Sequence, residues 1–384
     1  MTYLTMANVA ATALLGLNSV LLGQATTAYS PPLGAIELVA DGLRETSHGI
    51  PLHRAPVVIA ELGEVAATSI EDDNGNFLSR RITLTDSIGP VGQYNPDPET
   101  GELVYFAEFA TGAAAGQRLP IVGSGTNWIA VAEDPDPKVT DPQGDFVGYF
   151  GPEVANTPRD LIYIRPYWTL GMTLSSSVTS AYDSSDLAAT RNGDAVILPQ
   201  SDSSRGGRVF QQFSGDLDDP DYWGEIDSGG ALRLTEDDSI VLSLDGAVIA
   251  PSSMLKIRRS TDSELRYIVI GDATSLQAWS LPTPDAGALL QVPFALELSD
   301  PVTLAQSGLT QLFTATSSSQ TRRDELIIWD TNAGFYARPT RRFYLLSASP
   351  DPDPVWREVG DATTDQGSFL LKPGQGYLIR RRGL

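Results

Sequence analysis

The chain has 384 residues, 41% hydrophobic and 8% aromatic, enough apolar material for two or three packed domains and too much for wholesale disorder. Its formal charge of −22 repels phosphate backbones, which excludes nucleic acid as a natural partner while suiting divalent cations and a solvated exterior. No cysteine is present, so disulfides, thiol nucleophiles and thiolate metal sites are excluded.

Residues 1–25 read as a signal peptide or a retained apolar segment. The run ANVAATALLGLNSVLLGQA (7–25) ends with Gly23 and Ala25, small residues that suit cleavage before Thr26. The first basic residue is Arg44, so the usual charged leader start is missing. Asn18 and Ser19 interrupt the run, and it is short for a span of ~20 apolar residues. No second candidate span follows, which argues against a multi-pass membrane protein. The pattern predicts export to the cell surface or the extracellular space.

From Leu33 onward, short apolar runs alternate with turn residues, as strands do. GAIELVA (34–40), PVVIAELGEV (56–65), RRITLTD (80–86) and ELVYFAEFA (102–110) are such runs. Asp73-Asn74-Gly75 predicts a tight hairpin turn, because Asn-Gly tolerates the positive φ required there. The stretch EDPDPKVTDPQGD (133–145) predicts an exposed loop near a domain boundary. These features define an N-terminal β domain over 26–160.

The second half contains a spaced repetition. Asp194 opens DAVIL, RVFQQFSG (208–215) and DLDDPDYWGEI (216–226) follow, and DSIVL (238–242) and MLKIRR (254–259) close the series. Asp324 opens DELII, with RRFYLLSAS (341–349), PDPDPVWREV (350–359), GSFLL (367–371) and GYLIRR (376–381) in the same order. The spacing pairs Asp194 with Asp324, Arg208 with Arg342, Trp223 with Trp356 and Arg258 with Arg380. Matched order with loop-sized differences predicts two related β modules, 161–283 and 284–384, each a sandwich or small barrel. The fold class expected is all-β.

Several stretches also resemble a family of exported β-rich repeat proteins of verrucomicrobial-type bacteria. They are AYSPPLGAIEL (28–38), GIPLHRAPV (49–57), YFAEFATGAAAGQRLPIVG (105–123), IRPYWTL (164–170) and PGQGYLIRR (373–381). The resemblance implies secretion and a repeated β architecture. It implies no activity and no catalytic residues.

The chemistry-bearing residues are few. His48 and His53 are five apart with Pro51 between them, a spacing that puts two ligands on one face of neither a strand nor a helix. No nucleophile elbow or glycine-rich phosphate loop occurs, and no two of the 48 carboxylates form a recognisable pair. The loops carrying Asp216, Asp218, Asp219 and Asp221, and those carrying Asp351 and Asp353, are candidate weak calcium sites. They lack the EF-hand order and proline restricts wrapping around an ion, so solvated turns are the favoured reading of these loops. Trp223 and Trp356 follow these loops, as sugar-stacking platforms or, more economically, as packing anchors.

The function expected is that of a non-enzymatic, exported structural or surface-associated protein, forming a homo-oligomer or polymer such as a layer or filament. The alternative is a module binding extracellular polysaccharide, and a carboxylate-dependent glycan hydrolase is the least favoured reading. No cofactor other than calcium is expected.

Overall fold

The computed structural model of the chain describes residues 33–63, 69–71, 77–98, 101–111, 115–132, 160–174, 194–199, 207–213, 222–226, 242–243, 247–251, 253–273, 281, 284, 286–296, 298, 300–329, 339–347 and 353–383. Within them the fold is all-β, with two short helices. Three strands come first: β1 (Leu33–Ala40), β2 (Glu45–Gly49) and β3 (Leu52–His53). Seven more follow: β4 (Val58–Glu61), β5 (Ser69–Glu71), β6 (Phe77–Thr83), β7 (Tyr105–Phe109), β8 (Arg118–Ser124), β9 (Trp128–Val131) and β10 (Leu161–Pro166).

Next, β11 (Trp168–Thr169) runs directly into helix α1 (Leu170–Leu174). It is succeeded by β12 (Ala195–Leu198), β13 (Arg208–Phe213), β14 (Tyr222–Ile226), β15 (Leu242–Ser243), β16 (Val248–Ile249), β17 (Met254–Arg258) and β18 (Leu265–Ala273). The last stretch holds β19 (Leu289–Ala295), β20 (Val302–Thr303), α2 (Leu309–Leu312), β21 (Glu325–Ile328) and β22 (Arg341–Leu346). It ends with β23 (Val355–Glu358), β24 (Leu370–Leu371) and β25 (Gly376–Arg382).

The alternation of side chains decides which face of each strand is buried. In β18, Leu265, Tyr267 and Val269 point inward while Arg266, Ile268 and Ile270 point to solvent. β10 is buried on both faces because it serves two neighbours. Ile162 and Ile164 enter one core, and Tyr163 and Arg165 face the opposite way and are buried too.

The strands β4-β10-β7-β8-β9-β6-β5 form one antiparallel sheet. It curls back on itself, because Leu62 after β4 bridges Leu84 after β6. Gly63 donates its N–H to Thr83 O at 2.9 Å, and Thr85 donates to Glu61 O at 3.0 Å. The barrel-like interior holds Ile82, Phe109, Ile121, Ile129, Ile162 and their neighbours.

A second sheet runs β15-β14-β13-β12-β17-β2, and a third runs β23-β22-β21-β25-β19. Their registers correspond. Val196 lies opposite Phe210 and Ile257, as Leu326 lies opposite Phe343 and Ile379. Phe210 faces Glu225 and Gln212 faces Trp223, as Phe343 faces Glu358 and Leu345 faces Trp356. Short ribbons β11–β16 and β20–β24 flank the two sheets, each beside a one-turn helix whose first leucine-bearing stretch is buried. Leu170 donates to Ala247 O at 3.1 Å and Leu304 to Phe369 O at 2.9 Å, completing the parallel. One detail of the sequence pairing changes: the ladders match Arg208 with Arg341, not Arg342, since Arg208 lies opposite Leu198 and Arg341 opposite the equivalent Ile328.

Two ladders also cross the boundaries expected from sequence. β1 pairs with β18 along its whole length, and β2 pairs with β17 from Glu45 to Gly49. Residues 33–53 thus hydrogen-bond to the 161–283 segment rather than to the barrel that follows them. β10, just past residue 160, belongs to the barrel sheet. The barrel strands therefore lie between β3 and β11 in the chain, whose own partners are in the first core, built around Leu38, Val196, Trp223 and Ile257. The second core is built around Leu326, Phe343, Trp356 and Ile379. The entry and exit of this stretch are held together: Arg54 Nη1 donates to Tyr167 O at 3.1 Å, and Trp168 Nε1 donates to Leu52 O at 2.7 Å.

Candidate functional site

The residues singled out in the sequence separate cleanly. Asp216, Asp218, Asp219, Asp221 and Asp351 lie outside the described residues; Asp353 is exposed just before β23. Among the described residues no group of three or more His, Asp or Glu side chains gathers as a metal would require. Trp223 and Trp356 are each 2% exposed and sit in the first and second cores. Trp356 donates Nε1 to Thr310 Oγ1 at 3.0 Å and stacks at a tilt on Phe313. Indoles buried this way act in packing, and their rings are closed to an outside ligand. His48 and His53 are both buried but on different sheets, β2 and β3.

Charge inside the molecule is used to fasten elements. Arg259 Nη1 meets Asp194 Oδ2 at 2.5 Å, with both side chains almost fully buried. Asp194 Oδ1 also accepts from the N–H and hydroxyl of Ser260. At the matching place in the second core, Arg381 Nη2 meets Asp324 Oδ2 at 3.3 Å. On the sheet surface, the Arg208 fork holds Glu225 and the Arg341 fork holds Glu358, each guanidinium lying over a phenylalanine two residues on.

The barrel is bound to the first core by a buried charge network. Arg165 Nε donates to Glu108 Oε2 at 2.5 Å, and its Nη1 donates to Asp272 Oδ2 and to Arg54 O, both at 2.6 Å. Arg118 Nη2 adds a bond to Glu108 Oε1 at 3.2 Å. Burial alone would raise the Glu108 pKa, yet Arg118, His53 and Arg165 together hold it below the ordinary carboxylate range. Arg208 reaches out to Glu102 at 2.7 Å as a second tie to the barrel segment.

The two cores meet edge-on. His48 bridges Gln375, and Gly49 donates its N–H to Gly374 O at 3.0 Å. A Cβ on Gly49 would collide with Ala295, its own counterpart in the ladder of the second core. A Cβ on Gly376 would lie 2.8 Å from the Cβ of Met254, again its counterpart, and 2.9 Å from His48 O. Equivalent positions thus face each other, so the contact has the local character of a two-fold axis. Burial holds the His48 imidazole at a pKa of about 4, and its Nε2 lies 2.8 Å from Thr46 Oγ1.

Beside this contact lies a groove of about 480 Å³, open to solvent, lined by Glu37, His48, Trp329, Arg341, Lys372 and Gln375. Its walls come from β1, β2, the end of β21, the start of β22 and the turn before β25. Trp329 packs against Met254, Ile327 and Leu378, and Lys256 Nζ lies 4.8 Å from its ring centroid. Sequence reading passed over Trp329, because it ends a strand without a neighbouring acidic loop to draw notice.

No family model matches the chain, and no curated protein or solved structure is significantly similar to it.

Proposed function

We propose that the chain is an exported structural protein of the cell surface that works by associating with copies of itself through β1. The observation carrying this reading is the outer face of the β1–β18 ribbon. Leu33 is 75% exposed, Ile268 65% and Ile270 57%, and the register places Ala35 opposite Ile270 and Glu37 opposite Ile268 on that same face. Among the described residues β1 pairs only with β18, so its other edge offers an unpaired backbone ladder eight residues long. An apolar face next to an open edge is what proteins ordinarily protect unless it is used.

A second copy is the favoured occupant because the patch is self-complementary. An antiparallel edge can pair with itself about a two-fold axis, bringing the same apolar residues together. Arg266 beside Glu37 and Glu264 supplies both charge signs at one end of that face. The duplicated register of the two cores supports the same reading, since their union already joins equivalent positions. Export is supported by the leader-like residues 7–25.

Multi-angle light scattering across a concentration series tests this. The wild-type chain is expected to grow in mass with concentration, and the Ile268→Lys/Ile270→Lys variant to remain monomeric with unchanged circular dichroism. A wild-type chain that stays monomeric throughout contradicts it.

A further inference from the structure

We infer that the groove between the two cores is a binding site for an acidic sugar chain of the uronate type. The inference does not rest on self-association, although Glu37 belongs both to the groove lining and to the outer face of β1. Its volume of about 480 Å³ lies within the range of small-ligand sites, ~300–1,000 Å³, and it is open to solvent. Trp329 supplies a half-buried aromatic surface at its side. The ring is fixed by Met254, Ile327 and Leu378 and by the cation of Lys256, which itself pairs with Glu45 at 2.9 Å. A ring already immobilised loses little entropy when a sugar stacks on it, and a sugar's C–H face is attracted to the aromatic quadrupole.

The remaining lining suits hydroxyl and carboxylate groups. Glu37, Ser47 and Gln375 offer donors and acceptors spaced along the groove. Arg341 is held rigid by Glu358 and by the rings of Phe343 and Phe369, at 4.7 and 4.6 Å from its guanidinium carbon. Lys372 stands exposed at the rim. Arg341 is paired with Glu358 and Glu37 with Arg266, which leaves Lys372 as the lining charge with no ion-pair partner among the described residues, a local positive site on a chain of net charge −22. A negatively charged ligand is therefore drawn here and repelled elsewhere. His48 stays uncharged on the groove wall near neutral pH, its proton affinity lowered by burial, so it adds no charge.

Affinity electrophoresis and calorimetry with polygalacturonate, neutral dextran and polyglutamate test the assignment. The measurements use an Ile268→Gln/Ile270→Gln background, which opposes association without adding cations beside the groove residue Glu37. Polygalacturonate is expected to retard and bind the protein, with dextran and polyglutamate weaker. Trp329→Ala should weaken binding at least about tenfold. Because Trp329 also packs, Lys372→Glu at the exposed rim provides a second variant, expected to weaken polygalacturonate binding with no change in the melting curve. Absence of polygalacturonate binding overturns the assignment, as does binding unchanged in both variants. Equal binding of polyglutamate would show an acidic-peptide or general anion surface and overturns it as well.

Discussion

Asp194 and Asp324 occupy the same place in the two cores, and each holds a buried arginine from the strand that closes its sheet. Removing one partner leaves an uncompensated charge in a low-dielectric interior, which costs about 3–5 kcal/mol. Asp194→Ala is expected to lose that much in urea unfolding, and Asp194→Ala/Arg259→Met to recover most of it. An equal loss in the single and double variants would contradict the role of the pair. The sequence marked both aspartates and both Arg-Arg pairs but not which arginine turns inward. That is set by strand phase, where a one-residue shift exchanges core and solvent. Arg258 and Arg380 lie opposite Ala195 and Glu325 in the ladders, while Arg259 and Arg381 reach Asp194 and Asp324.

His48 adds a pH signature at the same scale. Its folded pKa of about 4 lies below the unfolded 6.5, so the unfolded chain binds the proton more readily between these values. Stability contributed by the neutral imidazole is complete above pH 6.5 and falls by about 3 kcal/mol in all as the pH drops to 4 and below. Urea midpoints measured from pH 7 to 4 should show this slope in the wild type and lose it in His48→Leu. An unchanged slope in the variant would assign it to other groups.

At the level of elements, the strands marked by short apolar runs between turn residues were readable, and β1, β7, β13 and β25 stand where those runs predict them. The ribbons β11–β16 and β20–β24 were not. Two residues are too few to show a period, and these exist because the neighbouring core holds them. The edge contact between the cores was equally hidden, since it depends on two glycines whose role is close approach. Gly376→Val would press its side chain on Met254 and His48 and should destabilise by about 1–3 kcal/mol through overpacking. The melting temperature checks this, and a neutral result would show that the cores separate easily at that edge.

For the molecule as a whole, the all-β class followed from turn density and short apolar runs, but the path of the chain did not. β1 pairs with β18 more than 200 residues later, and the barrel strands occupy the interval between β3 and β11. No local pattern records pairings so distant. The groove is likewise assembled from five separate stretches, each unremarkable by itself. The self-association proposed above uses one of the sheet edges that stay unpaired among the described residues, the outer edge of β1. Hydrogen exchange at the amides of residues 33–40, followed across protein concentration, reports on that edge directly. Their protection is expected to rise with concentration in the wild type and to stay low at every concentration in Ile268→Lys/Ile270→Lys. Exchange that is independent of concentration in the wild type would contradict it.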